Sequence, residues 1–109
     1  MRKREDFSKV YRYGKSVVNY QFVIYYKEQH IRPTFRLGIS ASKKLGNAVV
    51  RNRLRRTVKE IWRKHQDRIA AQYDYVVIVR KAAVQLDFHQ MEKSMLHLLK
   101  KGSFLVRRQ

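Results

Sequence analysis

FRLGISASKKLGNAVVRNRLRR, residues 35–56, holds the change of period on which the fold of this 109-residue chain turns. TFRLGIS, residues 34–40, reads as a strand. Gly46-Asn47 then supplies a turn and a side chain able to cap a helix that begins near Ala48. From there the apolar residues fall at Val50, Leu54, Val58, Ile61, Trp62, His65 and Ile69. At about 100° per residue they cover one contiguous side of a helix. Arg51, Arg55, Arg56, Lys59 and Arg63, with Asn52 among them, cover the adjacent side.

Between Lys43 and Lys64 nine Lys or Arg face one acid, Glu60. A helix face that is merely solvated relieves such repulsion with acids spaced at i, i+4, and this one does not. One sign of charge beside a capped helix start favours a phosphate site instead, so the flank is read as a nucleic-acid contact. Arginine dominates from Arg51 onward, and its planar fork suits bidentate phosphate or guanine-edge contacts better than the point charge of lysine.

Working outward, REDFSKVYRYG before the first strand reads as a short helix, with Phe7, Val10 and Tyr11 on one face and Gly14 as a stop. SVVNYQFVIYYK is rich in β-branched and aromatic residues and reads as a strand, with room for an extra short strand near Val17. Its alternation sorts Tyr20, Phe22, Ile24 and Tyr26 into an apolar set and Gln21, Val23, Tyr25 and Lys27 into a mixed one. EQHIRP is turn-like, and so short a connection predicts an antiparallel pair between the strands either side of it. YDYVVIV scarcely alternates and reads as a buried strand. DFHQMEKSMLHLLKK is a second amphipathic helix, capped by Asp87 and stopped at Gly102, before a basic tail, SFLVRRQ. The order αββαβα predicts one α+β domain over residues 1–109, a small sheet with helices on one face and the other face at least partly open.

The net charge is +18, from 26 Lys and Arg against eight Asp and Glu, and such a body attracts polyanions over roughly 8 Å at physiological salt. No cysteine is present, which excludes disulfides and thiolate zinc sites and fits a reduced, cytoplasmic setting. The apolar run Val76 to Val79 is far too short to span a bilayer, and MRKREDF has no apolar segment behind its charges, so neither a membrane nor secretion is expected. The histidines, at 30, 65, 89 and 97, include no i, i+4 pair, and the acids form no close-set group. A protein-borne catalytic centre or metal site is therefore not expected. A strand-like segment precedes the basic helix, so helix-turn-helix DNA binding is not supported.

The aromatics have two readings that spacing alone leaves even. Tyr25, on the mixed strand face, with Phe7 and Tyr11 from the first helix, suits stacking of unpaired bases on an open sheet. Ordinary packing of helix on sheet explains the same pattern.

The stretch from Phe35 to Arg56 strongly resembles the signature of the protein subunit of bacterial ribonuclease P. Lys43, Lys44, Gly46 and Asn47, followed by Arg51-Asn52-Arg53, are the core of the match. EDFSKVYRYGKSVVNYQFVIYY before it and, more weakly, YDYVVIVRKAA after it extend the resemblance over most of the chain. The resemblance implies an α–β sandwich with a left-handed β-α-β crossover, against the usual hand. It implies a division of labour too. The RNA subunit hydrolyses precursor tRNA with Mg²⁺, held mainly by RNA, to release the 5′ leader. The protein binds that RNA and the single-stranded leader, with no catalytic residue of its own. On it Lys43, Lys44, Asn47, Arg51, Asn52, Arg53, Arg55, Arg56 and Lys59 match RNA-contacting positions. Phe7, Tyr11, Val23 and Tyr25 match the leader cleft. Members of the family usually carry a longer basic segment before the Asp-Phe pair than the MRKRE seen here.

Overall fold

The computed structural model describes residues 14–106, so the helix expected from REDFSKVYRYG lies, but for Gly14, outside the described residues. Four strands form one sheet: β1 (Lys15–Val18), β2 (Phe22–Glu28), β3 (Leu37–Ser40) and β4 (Tyr73–Val79). Helix α1 (Ala48–Lys64) lies between β3 and β4 in the chain, and α2 (Phe88–Lys101) follows β4. The strand order is β1-β2-β4-β3, with β1–β2 and β2–β4 antiparallel and β3–β4 parallel.

The stretch read as a strand over residues 16–27 divides into a hairpin, and its first arm, β1, is the extra short strand allowed for near Val17. Asn19 breaks it, because its Oδ1 accepts from the backbone N–H of both Gln21 and Phe22, the side-chain turn for which asparagine is suited. Tyr20, assigned above to the apolar face, therefore stands in the turn and is 76% exposed.

β2 and β3 are not paired, contrary to the sequence expectation. β4 lies between them, since its apolar run is buried on nearly every residue and gains most from a central place. The β2–β3 connection is held open by Gln29, whose Nε2 donates to the carbonyls of Arg32 and Ala71 while its Oε1 accepts from the Ile31 and Arg32 amides. Asp74 on β4 closes the same loop. It accepts two bonds from Arg32 Nη2, at 2.8 and 2.6 Å, and one from the Arg36 backbone N–H at 3.1 Å. Burial works to raise this carboxyl, but the bonds from Arg32 and Arg36 prevail and hold it below its ordinary value.

Both described helices cover the same sheet face. Phe22 and Ile24 of β2 and Tyr75, Val77 and Val79 of β4 form one core with Leu54, Val58, Ile61 and Trp62 of α1 and Met91, Met95, Leu98 and Leu99 of α2. α2 begins as expected, on a capping box in which Asp87 and Gln90 exchange side-chain and backbone bonds. α1 stops at Lys64, earlier than the apolar stripe suggested. Ile69 instead bridges to Leu105, and Phe104 fills the core against Tyr26, Tyr73 and Tyr75. Part of the expected basic tail is thus structural.

Candidate nucleic-acid interface

The basic helix is positioned from its first turn. Gly46 has φ 146° and ψ −167°, a conformation that essentially only glycine adopts, and it delivers the chain into α1. Asn47 then caps the helix, its Oδ1 accepting from Val50 N–H at 3.0 Å. Burial of Leu54, Val58, Ile61 and Trp62 fixes the rotation of α1, so the remaining arc must face outward. Lys43 and Lys44 are exposed on the single 3₁₀ turn just before this start.

The sequence-predicted residues divide among three directions. Asn52, Arg55, Arg56 and Lys59, at i, i+3, i+4 and i+7, line a groove of about 700 Å³ whose other wall is Leu37, Gly38 and Ile39 of the edge strand β3. Arg55 is braced there, its Nη1 donating to Asn52 Oδ1 at 3.1 Å and its Nη2 to the Ala41 carbonyl at 3.2 Å. Arg53 points the other way, donating from Nη2 to the Val84 carbonyl at 2.9 Å. Arg51 is half-buried, and its enclosed Nε has no hydrogen-bond partner among the described residues.

Acid is scarce on this flank. Glu60 is engaged by Arg63, whose hydrogen bond holds the Glu60 carboxylate below its ordinary range. Glu92, from α2, takes Lys64 and His65 at 2.9 Å each, so neither acid offsets the arginines at the groove.

The other sheet face bears Val23 and Tyr25, both half-buried. Tyr25 lies opposite Ser16 on one side and Val76 on the other, and Val76 in turn opposite Gly38. The row Ser16–Tyr25–Val76–Gly38 therefore ends at the wall of the arginine groove, two strands or about 10 Å from Tyr25. Phe7 and Tyr11 lie outside the described residues. Reasoning from sequence missed the contribution of β3, because pairing β3 with β2 would have hidden its edge. The alternation of small Gly38 and Ser40 with Leu37 and Ile39 was the available signal.

Among the described residues no three His, Cys, Asp or Glu side chains gather as a metal-binding group, and no helix is long and apolar enough to cross a membrane. His65, placed above on the apolar stripe, caps the end of α1 and is bonded through Nε2 to Glu92.

Among the described residues, a four-stranded mixed sheet with two helices on one face and an arginine-lined groove at its edge defines a small basic α+β domain. The family model described as Ribonuclease P matches residues 1–103, and the chain belongs to that family. It is 45% identical to the ribonuclease P protein component of Listeria welshimeri over 96% of this chain and 88% of that one. The structure is similar to that of the Staphylococcus aureus RNase P protein, with a TM-score of 0.90 and 40% identity over 96% of this chain and 95% of the other. The RNase P protein of Thermotoga maritima gives a TM-score of 0.85 at 36% identity, over 93% and 94% of the two chains.

Proposed function

We propose that the chain is the protein subunit of a ribonucleoprotein ribonuclease P, acting in the cytoplasm on precursor tRNA. The observation that carries this reading is the groove between α1 and the edge of β3, lined by Asn52, Arg55, Arg56 and Lys59, in a member of the ribonuclease P family. Phosphates of the catalytic RNA neutralise this groove together with Lys43, Lys44, Arg51 and Arg53, and Asn47 adds a neutral polar contact. The exposed arginine forks supply donors that suit phosphate oxygens. The 5′ leader lies single-stranded on the face of Val23 and Tyr25, with Phe7 and Tyr11 assigned to the same cleft from the resemblance. Its contact is stacking and apolar packing, so it tolerates varied leader sequences.

The protein contributes position and charge. It screens repulsion between two RNAs and so strengthens binding of substrate and of the Mg²⁺ ions that RNA holds. Held by the RNA, Mg²⁺ would supply the chemistry of water activation and leaving-oxygen stabilisation. The protein's own groups bind and orient, and none serves as nucleophile or base.

The test is cleavage of precursor tRNA at low Mg²⁺ by a bacterial ribonuclease P RNA alone, the protein alone, and the two together. Activity only in the mixture is expected. Failure of the protein to stimulate an RNA that is active at high Mg²⁺ would make it a general RNA binder. Arg51→Ala and Arg53→Ala each weaken binding to the catalytic RNA and reduce the slope of log affinity against log salt by about one. Unchanged affinity at moderate salt would mean a merely solvated face.

A further inference from the structure

We infer that the turn between β1 and β2, with the outer face of α2, forms a second RNA contact that holds one unpaired nucleotide. This contact is separate from the arginine groove and from the face of Tyr25, and it rests on the reading that the partner is RNA. The hollow, about 530 Å³, is lined by Tyr20, Gln21, Leu86, Gln90, Lys93 and His97 among others. That volume falls within the roughly 300–1,000 Å³ of small-molecule sites.

Three observations choose the occupant. The first is an exposed ring on a fixed backbone. Tyr20 is 76% exposed, yet its turn is pinned on both sides. Asn19 accepts from the amides of Gln21 and Phe22 and donates through Nδ2 to the Ser94 carbonyl and hydroxyl, at 3.1 and 3.0 Å. Arg80 Nη1 donates to the Asn19 carbonyl at 2.9 Å. An aromatic ring held out on a fixed backbone is a stacking platform, with only its own rotamer left to order on binding.

The second is the hydrogen-bonding set. Gln21 Oε1 accepts from the Ser94 hydroxyl and Gln90 Oε1 accepts from the Asp87 amide, so each glutamine has its oxygen engaged. Their NH₂ groups have no partner among the described residues, which leaves donors suited to the carbonyl oxygens of a base edge. The third is charge. Lys93 and His97 share the exposed face of α2 with Gln90, at i, i+3 and i+7, and among the described residues no acid lines the hollow. A phosphate meets that cation while its base meets Tyr20. The segment 81–86 connects the site to the basic flank, since Arg53 donates to Val84 and Leu86 lines the hollow.

The experiment is binding of a fluorescent single-stranded uridine octamer to the full chain at physiological salt, with a 4-thiouridine version for crosslink mapping. Tyr20→Ala is expected to lose about fivefold or more in affinity, Tyr20→Phe to retain it, and duplex RNA to be unaffected. The Tyr20→Ala loss is expected again in an Arg51→Ala/Arg53→Ala background, with crosslinks at Tyr20 or on α2 near Lys93. Melting temperature is the control, and an exposed ring predicts no change in it. Equal octamer affinity for Tyr20→Ala and the parent, crosslinks confined to residues 43–64, or a change of oligomeric state on mutation would each overturn the inference and leave the proposed function standing. No octamer binding by the parent chain would overturn both.

Discussion

Gly46 shows how much of the interface depends on a single backbone conformation. At φ 146° it is unsuited to any L side chain, and an added Cβ would lie 3.1 Å from Val50 Cβ and Cγ1. Gly46→Ala is therefore expected to destabilise the fold by about 1–3 kcal/mol and to disturb the entry of α1, read by chemical denaturation. Asn47→Ala, which costs the fold a helix cap, is the milder change in stability. An equal or more stable Gly46→Ala variant would mean the chain reaches α1 by another route. Both residues were legible in the sequence as turn and cap, because their role is local. Tyr20 was not, because the turn that exposes it is set by Asn19, which accepts from the Gln21 and Phe22 amides and is tied to Ser94 on a distant helix.

Helices α1 and α2 meet at an ionic contact as well as an apolar one. Glu92 of α2 accepts from Lys64 Nζ and bonds His65 Nε2, each at 2.9 Å, and its side chain is 14% exposed. The hydrogen bond from Lys64, then that from His65, holds its carboxyl below the ordinary 4.5. A depressed acid contributes stability that is present above its unfolded value and lost as pH falls through the folded one. Glu92→Gln is thus expected to be less stable by about 1 kcal/mol at neutral pH, with the gap closing once pH falls below about 4. Thermal melts of both proteins across that range check it. A gap independent of pH would assign Glu92 to packing alone. The spacing of Lys64 and His65 at the end of α1 was visible beforehand, but their acid comes from an element 28 residues on, counting from Lys64 to Glu92.

Taken whole, the molecule carries +18 on a body with a radius of gyration of 13.3 Å. Charge of one sign repels itself within the free protein and is neutralised by phosphate in a complex. Added salt is accordingly expected to act in opposite directions, raising the melting temperature of the free protein and lowering its affinity for RNA. Parallel melts and binding isotherms from about 50 to 400 mM monovalent salt measure both, over which the Debye length falls from about 14 to 5 Å. Affinity that is flat in salt would remove the phosphate groove as the source of binding.

The sequence by itself determined the elements and the chemistry of their surfaces. The apolar stripe of α1, its arginine flank, the caps at Asn47 and Asp87 and the unbroken apolar run of β4 all follow from interactions within a few residues, and the motif from Phe35 to Arg56 carried the family. Only the tertiary structure decided which strand lies beside which. That choice places β4 between β2 and β3, exposes the β3 edge to Asn52, Arg55, Arg56 and Lys59, and ends the row from Tyr25 at Gly38. It also turns Arg53 toward Val84 and brings Tyr20 to Lys93 and His97. The physical reason is that strand order is settled by burial summed over the whole sheet, with the most apolar strand taking the centre. No local pattern in β2 or β3 carries that sum.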